Sequence, residues 1–176
     1  ASFQRLFGSR LALNVVTADL DHYGYFYANG EMRSRGFELE GRFAALDGLD
    51  ISASYTALDV EVTSSNNGDV GKMPIRTPRR TMNVWGDYTL FPGVLHGLTL
   101  SGGVRYIGPR FDDALNTRSS AAYTLFDAGV RYSRGPWMYA LNAINVFDKR
   151  YIQSMVDGLY GVGYERTLSG TVRYRW

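Results

Sequence analysis

The stretch 164–176, Tyr-Glu-Arg-Thr-Leu-Ser-Gly-Thr-Val-Arg-Tyr-Arg-Trp, alternates almost without fault. Leu168, Gly170, Val172, Tyr174 and Trp176 share one parity; Thr167, Ser169, Thr171, Arg173 and Arg175 share the other. A β-strand sends successive side chains to opposite faces, so the pattern predicts one apolar face with terminal aromatics and one face of hydroxyls and arginines. A soluble strand would bury the apolar face in a protein core. Here the sequence stops on an aromatic, with nothing after it to cover that face. A strand whose apolar side meets lipid, with aromatics at the membrane boundary, is the expectation that meets both facts. Leu168, Val172, Tyr174 and Trp176 are therefore the expected membrane-assembly signal.

Seven further segments read as strands, at 2–17, 33–45, 49–62, 80–91, 97–108, 122–133 and 136–147. The first is the weakest, with only Leu11, Leu13 and Val15 alternating well. In the second, Phe37, Leu39, Gly41 and Phe43 point out while Glu38, Glu40 and Arg42 point in. Segments of about ten residues or more exceed the five or six of a globular strand and match what a tilted strand needs to cross a bilayer. The connections alternate in length. Asp47-Gly48, 92–96 and Arg134-Gly135 are short; 18–32, 63–79, 109–121 and 148–163 are long. Outer-membrane barrels have short periplasmic turns and long extracellular loops, so the C-terminus is expected on the periplasmic side. Tyr88, Tyr132, Trp137, Tyr139, Tyr174 and Trp176 then gather at one boundary, and Phe37, Tyr106, Phe126 and Phe147 at the other.

Composition narrows the function classes. A net charge of +2 gives no polybasic surface for nucleic acid. There is no cysteine, hence neither disulfide nor thiolate metal site. No run approaches the apolar length of a spanning helix. Mean hydropathy is −0.21, yet 14% of residues are aromatic, as in a transmembrane barrel, where alternation averages hydropathy away. A soluble antiparallel sandwich also fits alternation alone. Strand length, two aromatic belts and loop asymmetry together favour the barrel.

Four stretches bring a family into view: Gly-Glu-Met-Arg-Ser-Arg-Gly-Phe-Glu-Leu-Glu at 30–40, Gly-Pro-Arg-Phe-Asp-Asp-Ala-Leu-Asn-Thr at 108–117, Tyr-Thr-Leu-Phe-Asp-Ala-Gly-Val-Arg-Tyr at 123–132 and Leu-Asn-Ala-Ile-Asn-Val-Phe-Asp-Lys-Arg-Tyr at 141–151. With the aromatic-ended strand after them, they resemble the C-terminal part of the TonB-dependent outer-membrane receptors, ferric-siderophore branch. One departure is the last residue, Trp176 where the family usually has Phe; Tyr164-Glu165-Arg166 also lacks the usual small residue and proline. The resemblance implies an all-β fold: residues 1–176 would be the last eight strands of a 22-stranded transmembrane barrel. The plug domain and TonB box are absent from this sequence. It further implies a fragment of a transporter that binds and imports iron-siderophore complexes, energised through TonB. The expected partners are a ferric siderophore, outer-membrane lipid, the receptor's own plug and remaining strands, and TonB. Nucleic acid is not among them, and a monomer in the outer membrane of a Gram-negative bacterium is implied. The alternative is a complete eight-stranded barrel of the OmpA or OmpX size with a structural or adhesion role, since eight strands suffice to close.

Enzymatic chemistry has little footing. His22 and His96 lack metal-ligand spacing, and no P-loop, Gly-x-Ser-x-Gly or His-Glu-x-x-His occurs. Asp19, Asp21 and His22 read as a solvated loop, since no second half of a catalytic set is visible. Asp112, Asp113 and Asn116 do not follow the EF-hand spacing and read as a polar turn. No enzyme activity, cofactor or metal is expected. The inward set Glu38, Glu40, Arg42, Asp87, Arg105, Asp127, Arg131, Arg173 and Arg175 is expected to form a wall-lining ladder of ion pairs. Trp85, a large ring on the polar face, is expected to pack on a neighbouring element or touch ligand. Four aromatics crowd the loop 18–32, Tyr23, Tyr25, Phe26 and Tyr27; exposed aromatic clusters mark contact surfaces. Tyr151, Met155 and Tyr160 of the last loop join them as candidate ligand contacts.

Overall fold

The computed structural model describes residues 4–7, 30–91, 95–156 and 159–176. Eight strands form one antiparallel sheet: β1 (Gln4–Phe7), β2 (Glu31–Leu46), β3 (Leu49–Ser64), β4 (Arg80–Thr89), β5 (Leu98–Ile107), β8 (Tyr123–Arg134), β9 (Trp137–Ile144) and β12 (Thr167–Tyr174). They lie in that order, each bonded to its neighbours in sequence, so the sheet is a meander. Two short pairs sit in the long loops: β6 (Arg110–Phe111) with β7 (Ser119–Ser120), and β10 (Ile152–Val156) with β11 (Leu159–Val162).

Register turns the alternation of single strands into two continuous faces. One row across seven strands reads Phe43, Ile51, Gly86, Gly102, Ala128, Ala143, Leu168. The row beside it reads Ala44, Asp50, Asp87, Ser101, Gly129, Asn142, Ser169. A slip of one residue at any pairing would send a whole strand's apolar set to the wrong face; none occurs within this band. Phe43, Leu100, Leu141 and Val172 are all exposed on the apolar side. A sheet that leaves its large apolar residues bare across its full width has lipid as the other half of its core. The buried apolar side chains Val62, Met73 and Leu125 lie instead toward the long-loop end.

The aromatic belt at the short-turn end is built by contact. Trp137 stacks on Tyr139 at 6.0 Å and meets Tyr174 edge-on at 4.8 Å, while Tyr132 pairs with Tyr139 across the strands. At the other end Phe37 meets Tyr55 and Phe126 meets Phe147. The tight turn at Asp47-Gly48 needs its glycine: φ is +79°, and a Cβ there would lie 2.4 Å from the Thr89 carbonyl oxygen.

Several boundaries differ from the sequence expectation. The described part of the first segment, Gln4–Phe7, is a strand as expected, and Leu11, Leu13 and Val15 lie outside the described residues. β2 and β3 each run to 16 residues and extend the hairpin at the long-loop end. β9 stops at Ile144 because Asn145 turns the chain at φ 53°. β12 starts at Thr167 because the Tyr164 carbonyl is taken by the Asn145 amide. Phe147 therefore sits in a turn and not in a strand. Among the described residues β1 and β12 do not pair, so the sheet is open at both edges. Over the described residues it is an open stretch of antiparallel wall.

Candidate functional site

The long-loop end of the polar face is organised by the motif Asn145-Val146-Phe147-Asp148-Lys149-Arg150-Tyr151. Asn145 and Asp148 both take positive φ, at 53° and 51°. Asparagine and aspartate tolerate that conformation better than other side chains with a Cβ. Asn145 is 1% exposed. Its Nδ2 donates to the carbonyls of Lys149 and Tyr164 at 2.9 and 3.0 Å, and its Oδ1 accepts from the Lys149 N–H at 2.9 Å. Its own N–H donates to Asp127 Oδ1 at 2.9 Å. Asp127 also receives Arg105 through Nε at 2.8 Å and Nη2 at 3.2 Å. Asp148 Oδ1 accepts from the Arg166 N–H at 2.8 Å. One corner thus ties β8, β9 and the start of β12 together and launches the last loop.

Tyr151 leaves that corner and lies against Gly163, where a Cβ would come within 1.9 Å of the ring. Its ring centre is 4.4 Å from that of Tyr123. Burial pushes the Tyr151 phenol above its ordinary value, neighbouring Tyr123 adds to this, and Arg105 partly offsets it. Arg110 caps the pair, 5.5 Å over the Tyr123 ring, a favourable cation–π position. It is 5% exposed. Its Nη2 donates to the carbonyls of Ile152 and Gln153 at 2.6 and 2.8 Å, while buried Nη1 has no hydrogen-bond partner. Arg110 so joins the loop 109–121 to β10.

A second clasp joins that loop to the loop 63–79. Asn116, at φ 58°, accepts from the Met73 N–H at 2.8 Å and donates to the Met73 carbonyl at 2.9 Å. The Arg76 N–H donates to the Phe111 carbonyl. Asp113 accepts from the N–H groups of Thr117 and Arg118 and from the Thr117 hydroxyl. Desolvation pushes its carboxyl up, but these bonds and the Arg118 charge outweigh it and hold the group below its ordinary range. Asp112 accepts from the Ser120 hydroxyl. The three acidic-loop residues are thus engaged in holding the loops.

The candidate ligand contacts are placed unevenly. Tyr23, Tyr25, Phe26 and Tyr27 lie outside the described residues. Tyr151 is in the cluster just described. Tyr160 is 61% exposed on β11 and pairs in register with Met155 on β10. Trp85 stands in the inward row Arg42, Ser52, Trp85, Gly103, Asp127. It packs against Gly103, where a Cβ would lie 2.3 Å from the ring, and donates its Nε1 to Asp87 Oδ2 at 3.1 Å. Tyr123 and Arg110 were not singled out from the sequence; Tyr123 carries the inward parity of its strand, which is the signal that could have found it. The inward ladder of ion pairs does not form: of the nine charges, Arg105 with Asp127 is the pair present among the described residues. The reason is spacing. Asp50 and Asp87 face each other with like charge, and Arg42 faces Ser52. The assembly set Leu168, Val172, Tyr174 and Trp176 is exposed on the apolar face.

A wall that is apolar outside, polar inside, turned tightly at one end and clasped by loops at the other is a piece of a transmembrane β-barrel. The model of the TonB-dependent receptor-like β-barrel family matches residues 3–146. The ferrichrome outer membrane transporter/phage receptor of Escherichia coli K12 is 34% identical over 93% of this chain. The ferrioxamine receptor of Yersinia enterocolitica is 32% identical over 85% of it. The crystal structure of BauA, the ferric preacinetobactin receptor of Acinetobacter baumannii, superposes with a TM-score of 0.76 at 28% identity, covering 85% of this chain and 23% of that one. The chain belongs to the TonB-dependent receptor-like β-barrel family. It spans about 22% of the length of those two curated relatives.

Proposed function

We propose that this chain is the C-terminal wall of an outer-membrane transporter that binds and imports a ferric siderophore, energised through TonB. It acts as transporter and not as enzyme. The observation that carries the reading is the pairing of an unbroken lipid-type outer face with a clasped, aromatic and cationic loop end on the inner side. The names of the relatives supply the ligand class: ferrichrome, ferrioxamine and ferric preacinetobactin receptors. In this reading the short turns and the C-terminus are periplasmic, and the long loops face outside. Tyr23, Tyr25, Phe26, Tyr27, Tyr151, Met155 and Tyr160 then belong to the mouth that meets the ligand. Aromatic rings give a bulky, partly apolar chelate a large rigid contact at small entropic cost.

The test is binding of a panel of ferric siderophores to the full-length receptor, with Tyr25, Tyr27, Tyr151 and Tyr160 each changed to Ala. Saturable binding of one chelate is expected. Loss of a buried aromatic contact typically costs about 2 kcal/mol, roughly thirtyfold in affinity, in at least one variant. Four folded variants that bind within twofold of the parent would move recognition to other loops.

A further inference from the structure

The two short pairs of the loop end, β6–β7 and β10–β11, are sheets of their own and do not join the ladder of the eight-stranded wall. Side chains and turns hold them instead. The β6–β7 hairpin is gripped from two sides. On one side the Phe111 carbonyl accepts from the Arg76 N–H at 2.8 Å. The Asn116 amide there serves both the N–H and the carbonyl of Met73, as a neighbouring strand would. The loop 63–79 is itself fixed to β3, where the Val62 N–H donates to the Lys72 carbonyl at 2.9 Å and the Gly71 N–H to the Val62 carbonyl at 2.8 Å. On the other side of the hairpin, Arg110 Nη2 holds two successive carbonyls of β10, those of Ile152 and Gln153. Met73, Arg110 and Ser120 are all buried, so the loop end has a small core of its own.

A line of bonds thus runs from β3 through Met73, Asn116, β6–β7 and Arg110 to β10. Among the described residues Asn116 bonds Met73 and Asp113 and no residue of the last loop. Elements that hold one another open together and not singly. A contact surface ordered before the ligand arrives loses less entropy on binding. We infer that Asn116 is a positioning residue for recognition: through β6–β7 and Arg110 it holds the β10–β11 hairpin, and with it Tyr151 and Tyr160, in place for the ferric siderophore. The inference rests on the transporter reading above. It gives a role in recognition to a side chain that touches no ligand.

The experiment uses the full-length receptor carrying Asn116→Gly. Asn116 sits at φ 58°, a conformation glycine adopts freely, so the variant removes the amide without straining the backbone. Heat-modifiability on gels reports that the barrel is folded. Amide hydrogen exchange without ligand is read at 152–154 and 159–163. Exchange there is expected to quicken about fivefold or more, with the wall strands at the parental rate. Coupling is reciprocal, so Arg110→Lys is expected to quicken exchange at 72–76. The affinity of Asn116→Gly for the ferric siderophore that the parent binds is expected to fall roughly two- to tenfold, with the number of sites per folded receptor unchanged. Faster exchange confined to 72–76 and 113–118 in Asn116→Gly overturns the inference. So does coupled exchange with parental affinity. If Asn116→Gly fails to assemble, Arg110→Lys decides, and parental exchange at 72–76 overturns the inference. A parent that binds no ferric siderophore sinks the transporter reading and the recognition role with it, while exchange still shows whether Asn116 holds the last loop. Binding by the parent with parental affinity in the variant sinks the positioning role alone.

Discussion

The side-chain amide of Asn145 holds the carbonyl of Tyr164 at 3.0 Å across 19 residues of chain. That bond closes the last loop at its base and sets where β12 can begin. Asn145→Ala removes it together with both bonds to Lys149, leaves buried backbone groups unsatisfied, and puts a Cβ residue without a compensating amide at positive φ. The expected cost is about 2–3 kcal/mol. A lower midpoint in heat-modifiability of the full-length receptor would register it. Asn145→Gly relieves the backbone strain alone and should recover only part of the loss.

Arg110 is expected to be intolerant of lysine. Its Nη2 serves two carbonyls while the planar group lies over Tyr123; a point ammonium cannot do both. Arg110→Lys should loosen β10 from the loop 109–121 at a cost of about 1–3 kcal/mol. Faster amide exchange at 152–153, with the wall strands unchanged, is the expected signature.

Two groups outside the wall give opposite pH responses. The Asp113 carboxyl is held below its ordinary 3.8. Its contribution is therefore present above that value and is lost as pH falls through the folded pKa. Protease cleavage in the loop 109–121 should rise only in strong acid, and Asp113→Asn should show raised cleavage already at neutral pH. The Tyr151 phenol is held above its ordinary 10.0. Its contribution is complete below that value and is lost as pH climbs through the folded pKa. An ultraviolet titration of parent minus Tyr151→Phe should show this phenol ionising later than a free tyrosine.

Neighbouring residues on β12 should respond oppositely to charge. Val172 faces out and Thr171 faces in. Val172→Asp should cost on the order of 2 kcal/mol or more and reduce assembly in the membrane, whereas Thr171→Asp should assemble near the parental level. Equal yields of the two would mean that the face bearing Leu168, Val172, Tyr174 and Trp176 does not meet lipid.

The sheet was legible in the sequence because alternation is a local signal. Leu168 and Val172 declare their face from their own strand, and register then adds Ala143 and Tyr139 to the same side. The loop end was much less legible. Arg110 meets Ile152 and Gln153 over separations of 42 and 43 residues, and Asn116 meets Met73 over 43. No periodicity encodes such contacts. Trp85 could be assigned to the polar face by parity, but its resting place depends on Gly103 of the next strand, which offers the space. Parity gives the face of a charge and not its cross-strand partner, so the inward charges need not form a ladder of ion pairs.

Import of iron as a siderophore chelate is the proposed function and can be measured directly. Uptake of radiolabelled iron from a panel of ferric siderophores should be measured in cells carrying the full-length receptor gene and in cells deleted for it. Uptake from at least one chelate that is lost on deletion and restored by the gene is expected. Equal uptake from every chelate with and without the receptor, under iron limitation and with the protein folded in the outer membrane, would contradict it.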